Sequence, residues 1–115
     1  MILKDDWHSR YKAELTRARS ARLEGNEGMA RVCARRAAGI VIGEFLLRRG
    51  LSDPGPSAYD RLTTLKSLPD VNERCKVVSE HFLVRVNPDH NLPLEVDLVS
   101  EAEWLAQELL TNEDH

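Results

Sequence analysis

The chain of 115 residues carries 42% hydrophobic and 30% charged residues and a formal net charge of −3. This balance is typical of one soluble globular domain over residues 1–115, and it excludes a disordered or membrane-embedded class. Residues 1–50 carry eleven Lys or Arg against six Asp or Glu, whereas residues 51–115 carry five against thirteen. Halves with charges of +5 and −8 indicate that the halves pair with each other, within or between chains, or that a basic face meets an anion. We favour pairing of the halves.

Composition also indicates where the protein resides. The longest apolar stretch, residues 37–47, is interrupted by Glu44 and is shorter than the roughly 20 residues that cross a bilayer. The first seven residues lack the basic start and apolar run of a signal peptide. Cys33 and Cys75 have no CxxC partner and lie among apolar residues, which favours small buried thiols over a disulfide or catalytic pair. We therefore expect a cytoplasmic protein that does not enter the membrane.

The first half of the chain predicts a hairpin of two long helices. Apolar residues recur every three or four positions over residues 7–24, with Asp5 or Asp6 available as N-cap. Residues 25–28, Gly-Asn-Glu-Gly, suit a tight turn into a second helix over residues 27–49. Small residues at about four-residue spacing in that helix predict the close approach of a neighbouring helix: Ala34, Ala38, Gly39 and Gly43.

Three shorter helices are predicted in the second half. A proline-rich break at residues 52–56 ends the hairpin, and a loop of about a dozen residues separates the fourth helix, which ends near Arg85, from the fifth. Capping residues predict the three helix starts: Ser57 with Asp60, Asp70 with Glu73, and Ser100 with Glu103. Because no strand pattern occurs, we expect an all-α fold, a four- to five-helix up-and-down bundle.

The order of these parts resembles a known family. The hairpin over residues 14–49, with the run ARVCARRAAG at residues 30–39, is followed by EHFLVRVNPDH at residues 80–90 and by an acidic final helix. This arrangement resembles HEPN domains, a nucleotide-binding helical family of prokaryotes and higher eukaryotes. The resemblance implies a HEPN-like bundle that forms a homodimer, often works beside a minimal nucleotidyltransferase, and acts in many members as a metal-independent ribonuclease or as the toxin of a toxin–antitoxin pair.

The resemblance also names candidate catalytic residues. The ribonuclease motif of the family is an Arg followed, after four to six residues, by a His, and Arg85 with His90 matches it. A guanidinium would hold a phosphate while an imidazole near neutrality moves a proton. Arg74 and His81, with six residues between them, fall at the upper limit of the same pattern. The alternative is that Arg85 is a cation at a helix C-terminus and His90 a solvated loop histidine.

A second set of residues is predicted to bind nucleic acid or a nucleotide. Three arginines of the second helix would contact phosphates, and two polar residues of the loop after the fourth helix complete the predicted binding set: Arg31, Arg35, Arg36, Asn87 and Asp89. Arg17, Arg19 and Arg22 of the first helix would extend the basic surface. The alternative, which we favour for the surface as a whole, is an arginine face that is solvated or salt-bridged to the abundant acids.

The expected function is therefore that of a HEPN-like domain that binds RNA or a nucleotide, with metal-independent RNA cleavage by Arg85 and His90. No histidine or carboxylate spacing is typical of a zinc or calcium site, and no glycine-rich phosphate loop occurs, so no metal or cofactor is expected. The alternative is a non-catalytic module for oligomerisation or protein interaction, which would use the glycine-lined surface of the second helix.

Overall fold

The computed structural model describes residues 6–84 and 96–111, and over these ranges it consists of five helices without a strand. In chain order the helices are α1 (Trp7–Leu23), α2 (Glu27–Arg48), α3 (Ala58–Ser67), α4 (Glu73–Leu83) and α5 (Leu98–Ala106). A single π-helical turn over Gln107–Thr111 continues α5. The predicted all-α class is confirmed. In the part of the chain that the structure describes, no helix is long and apolar enough to cross a membrane.

Local capping and one left-handed residue fix the α1–α2 hairpin. The carboxylate of Asp6 accepts hydrogen bonds from the backbone N–H groups of His8 at 3.1 Å and Ser9 at 3.3 Å, so Asp6 is the N-cap of α1. Gly25 has a φ of +78°, a conformation that costs glycine little, and the Asn26 side chain then caps α2. The predicted tight turn between two helices is confirmed.

Two predicted helix starts are wrong. Asn72, not Asp70, caps α4, because its side-chain oxygen accepts from the backbone N–H of Cys75 at 2.9 Å. Asp97, not Ser100, caps α5, and it accepts from the N–H groups of Val99 and Ser100. The earlier start of α5 adds Leu98 and Val99 to its buried face, an apolar gain that a start at Ser100 would forgo.

Helix α2 lies at the centre and packs against α1, α3 and α5. Its middle is buried on more than one side, and the core that it shares with the other helices is aliphatic apart from a few aromatic rings. The largest fully buried side chains are Phe82, Ile42, Leu46, Leu62, Leu65, Leu98 and Leu105. Cys33 and Cys75 are free thiols in this core, as the sequence predicts.

The glycine-lined surface of α2 is covered by α3 of the same chain. A Cβ at Gly39 would lie 2.9 Å from Ala58 Cβ, and a Cβ at Gly43 would lie 2.5 Å from Arg61 Cζ. The glycines are therefore close-packing positions, as predicted, but their neighbour is α3. This surface is not open for the oligomerisation that the alternative function assigned to it.

Ion pairs join the basic first half to the acidic second half. Arg19 on α1 pairs with Glu103 on α5, and Arg22 pairs with Asp97 at 3.0 Å. Since Asp97 also caps α5, the Arg22 contact ties the end of α1 to the start of α5. The predicted pairing of the two halves is confirmed within one chain.

Candidate anion-binding groove

A groove lined by four arginines lies between α1, α2 and the start of α3. Its volume is about 660 Å³, within the range of pockets that hold small ligands. We call it the arginine groove, and its lining residues are Arg10, Glu14, Val32, Arg35, Arg36, Ile40, Pro56, Ala58 and Arg61. Cationic side chains from three helices thus share one concave surface with a carboxylate and a few apolar groups.

Helical spacing and two glycines build this groove. Arg10 and Glu14 are four residues apart on α1, and Val32, Arg36 and Ile40 are spaced by four on α2, so each set lies along one helix face. The third wall exists because α3 approaches α2 at the two glycines, which brings the first turn of α3 to the groove. Small residues in α2 therefore place the arginine of α3 beside those of α2.

Arg61 is held rigidly at the groove. Its Nε donates to Asp53 Oδ1 at 3.0 Å and its Nη2 to Asp53 Oδ2 at 2.6 Å, a bidentate pair. Its Nη1 donates to the carbonyl oxygen of Gly39 at 3.2 Å. The hydrogen bond from Arg61 holds the pKa of Asp53 below its usual range, with a smaller contribution from the Gly55 N–H. The guanidinium is thus oriented before any ligand arrives.

Arg35 connects the groove to the end of α4. Its Nε donates to the carbonyl oxygen of Phe82 at 2.9 Å, which satisfies one of the carbonyls left unpaired in the last turn of a helix. Partial burial, and then the nearby charge of Arg31, lower the pKa of Arg35, although a guanidinium stays protonated in proteins. A half-buried cation whose charge is only partly compensated attracts an anion.

Arg36 is an exposed arginine of the groove, as Arg10 is. Within residues 6–84 and 96–111 it forms no hydrogen bond and no ion pair, whereas Arg35 and Arg61 are both anchored. An exposed guanidinium on the rim meets an incoming phosphate without first breaking an internal contact. Arg36 is therefore the most direct target for mutation.

Glu14 is the acidic member of the groove. Its Oε2 pairs with Arg17 Nη1 at 3.2 Å, its Oε1 is buried, and its carboxylate accepts a hydrogen bond from the Cys33 thiol. Burial raises the pKa of the neighbouring Cys33 thiol, and the Glu14 carboxylate raises it further. Cys33 is consequently protonated at neutral pH and is not a nucleophile of this site.

The predicted basic surface divides into two parts. Arg35 and Arg36 line the arginine groove, and Arg31 lies outside its lining. On α1 the arginines named from the sequence are used in ion pairs, Arg17 with Glu14, Arg19 with Glu103, and Arg22 with both Glu27 and Asp97. The favoured alternative, a salt-bridged face, is thus confirmed for these three, while two of the three α2 arginines remain at a candidate site.

Arg10, Glu14 and Arg61 are parts of this groove that the sequence does not indicate. The four-residue spacing of Arg10 and Glu14 was visible, but it does not show which helix face would border a cleft. Arg61 lies 25 positions beyond Arg36, and only the docking of α3 on the two glycines brings them together. A long-range contact of that kind leaves no local pattern.

The predicted catalytic pair lies outside the described residues. Arg85 and His90, and with them Asn87 and Asp89, belong to residues 85–95. The other pair with this spacing, Arg74 and His81, is described, and both side chains face α5. The Arg74 guanidinium lies 5.0 Å from the centre of the Trp104 ring, and His81 Nδ1 pairs with Glu101 Oε1. Neither side chain lines the arginine groove.

No group of three or more His, Cys, Asp or Glu side chains within the described ranges is placed to hold a metal ion. Comparison with known proteins finds no matching family model, no significantly similar curated protein and no significantly similar solved structure. The HEPN resemblance therefore stays a prediction from the sequence.

Proposed function

We propose that this chain binds RNA or a nucleotide by its phosphate groups in the arginine groove. The observation that carries the proposal is the convergence of four guanidinium groups from three helices on one concave surface. Guanidinium groups are the preferred protein partners of phosphate because their planar N–H fork matches two of its oxygens. This function agrees with the HEPN-like domain expected from the sequence.

Charge and rigidity both support an anionic ligand. Arg10, Arg35, Arg36 and Arg61 outnumber the acids at the groove, Glu14 in its lining and Asp53 behind Arg61. The anchored guanidinium groups have already lost conformational freedom on folding, which reduces the entropy cost of binding. The overall charge of −3 would repel a polyanion, so attraction depends on this local concentration of positive charge.

Binding of a fluorescein-labelled single-stranded RNA, measured by anisotropy, tests the proposal. We expect Arg36→Gln to weaken binding about fivefold to tenfold, because one phosphate contact is lost. The matched control is Arg49→Gln, which removes an exposed arginine that packs over the Phe45 ring and lies roughly 20 Å farther along α2. Equal affinities of the wild type and both variants would refute binding at the groove.

RNA cleavage by Arg85 and His90 is the second part of the proposal and rests on the resemblance. Purified protein incubated with RNA in the presence of EDTA should cleave it, and His90→Ala should abolish the cleavage. Cleavage by both proteins, or by neither, would refute the role of His90. The binding assay tests the groove independently of cleavage. If the protein binds RNA but does not cut it, phosphate binding in the groove is supported and the ribonuclease activity is refuted.

The homodimer and the minimal nucleotidyltransferase partner stay predictions from the same resemblance. Light scattering after size-exclusion chromatography measures the first directly. A mass of one chain, 13.0 kDa, at all accessible concentrations would contradict a homodimer. A twofold mass would support it, and the interface would lie elsewhere than the α2 glycines, which α3 covers.

A further inference from the structure

The last turn of α4 is tied to the arginine groove by Arg35. Helix α4 packs against α3 and α5, and the Arg35 side chain reaches from α2 to the carbonyl oxygen of Phe82 at 2.9 Å. Phe82 is fully buried and lies one residue before the end of α4, which Val84 caps in an extended conformation. A helix leaves its last carbonyl groups without an internal partner, so a guanidinium that binds one of them stabilises the helix end.

The same guanidinium lines the groove. Within residues 6–84 and 96–111 the bond to Phe82 is the one hydrogen bond that Arg35 makes, and it uses Nε. Nη1 and Nη2 are thus left for a ligand. A phosphate fits this pair of nitrogens, because their N–H groups form a planar fork that matches two phosphate oxygens. One rigid, planar group would then hold both the ligand and the end of α4.

Electrostatics determine how a ligand affects the position of Arg35. Partial burial of the guanidinium, and then the like charge of Arg31, disfavour the charged form at this place and lower its pKa. Because a guanidinium stays protonated, the same two effects favour a turn of the side chain toward water and away from Phe82. A phosphate in the groove would offset both effects, since it supplies a countercharge. Ligand binding would therefore stabilise the position from which Nε reaches Phe82.

We propose that Arg35 couples occupancy of the arginine groove to the stability of the last turn of α4: a phosphate held at Nη1 and Nη2 fixes the guanidinium whose Nε holds the Phe82 carbonyl. This inference rests on the proposed phosphate binding and adds a structural response to the ligand. The coupling is reciprocal, so loosening the end of α4 weakens phosphate binding by the same factor. The terminal turn of a helix is suited to respond, because it opens at low free energy without unfolding of the domain.

Amide hydrogen exchange of the full chain, measured by mass spectrometry with and without the single-stranded RNA of the binding assay, tests the coupling. We expect saturating RNA to slow exchange at residues 81–84 about fivefold. Because binding also stabilises the whole fold by mass action, the last turn of α3, which ends at Ser67, is the internal reference. That turn lies outside the groove lining, and its exchange rate should change by less than about twofold.

Arg35→Lys and Arg36→Lys form a matched pair of variants. Each keeps a positive charge at the groove and loses the planar fork, but of the two side chains only Arg35 binds Phe82. RNA concentrations are set to give each variant the bound fraction of the wild type. The slowing at residues 81–84 should then persist in Arg36→Lys and disappear in Arg35→Lys. Without RNA, Arg35→Lys should exchange there about threefold to fivefold faster than the wild type, and Arg36→Lys should match the wild type.

The outcomes distinguish the coupling from the proposed function. RNA binding without slower exchange at residues 81–84 of the wild type overturns the coupling and leaves phosphate binding intact, whether or not the variants fold. Equal slowing in both variants also overturns it, because the response would then not pass through Arg35. Absence of RNA binding refutes the proposed function and the coupling with it. Slowing that occurs in the wild type and Arg36→Lys but is lost in Arg35→Lys supports Arg35 as the connection.

Discussion

A single methyl group at Gly39 tests the contact that forms the groove. A Cβ there would lie 2.9 Å from Ala58 Cβ and 3.0 Å from Ala58 Cα, and because Cα belongs to the backbone, the start of α3 would have to move. Helix propensity favours alanine over glycine by about 1 kcal/mol. Overpacking of a tight interface costs about 1–3 kcal/mol. We therefore expect Gly39→Ala to lower the free energy of unfolding by about 1 kcal/mol.

Gly28→Ala is the matched control, because the same propensity gain is unopposed there. Its nearest neighbour would be Asn26 Oδ1 at 3.8 Å, an ordinary contact, so we expect the free energy of unfolding to rise by up to about 1 kcal/mol. Urea denaturation followed by far-UV circular dichroism gives both values by linear extrapolation. If Gly39→Ala were as stable as Gly28→Ala, the close approach of α3 to α2 would be refuted.

Three further predictions follow from the groove and the core. Gly43→Ala should push the Arg61 guanidinium aside, weakening RNA binding about fivefold in the anisotropy assay, while stability changes by less than about 1 kcal/mol because the gain in helix propensity offsets the weakened hydrogen bonds of Arg61. Arg61 lowers the folded-state pKa of Asp53, so this pair stabilises the fold above the unfolded pKa of about 3.9 and is lost as the pH falls through the folded value. Acid denaturation should therefore show a shallower loss of stability in Asp53→Asn, and parallel curves would contradict the pairing. Burial raises the pKa of Cys33, and that of Cys75 to about 11, so both thiols should react with Ellman's reagent slowly in native protein and fast in urea.

Local patterns predicted the helices and failed at particular boundaries. The α1 stripe, the left-handed Gly25 and the Ser57 cap each depend on residues within four positions, and all three are confirmed. The caps Asn72 and Asp97 were not predicted because each lies within three residues of a pair that resembles a capping box, Asp70 with Glu73 and Ser100 with Glu103. For Asp97 the deciding factors are tertiary, since its carboxylate also binds Arg22 and the burial of Leu98 extends the helix. Neither contact is visible locally.

The candidate site depends on contacts between distant residues even more than the helix boundaries do. The sequence suggested Arg35 and Arg36 as phosphate contacts, and both line the groove. It gave no means to separate them from Arg31, which lies one turn away on the same helix but outside the lining. Arg61 joins the site only through packing across two glycines. A surface built from three helices depends on their docking, which charge and spacing alone do not determine.

The salt dependence of RNA binding tests phosphate recognition in the groove most directly. Three or four phosphate contacts on a single strand predict a slope of about −2 to −3 when the logarithm of the association constant is plotted against the logarithm of salt concentration. Arg36→Gln should make that slope shallower by about 0.7, and Arg49→Gln should leave it unchanged. A slope near zero, or the same slope in the wild type and Arg36→Gln, would contradict the account.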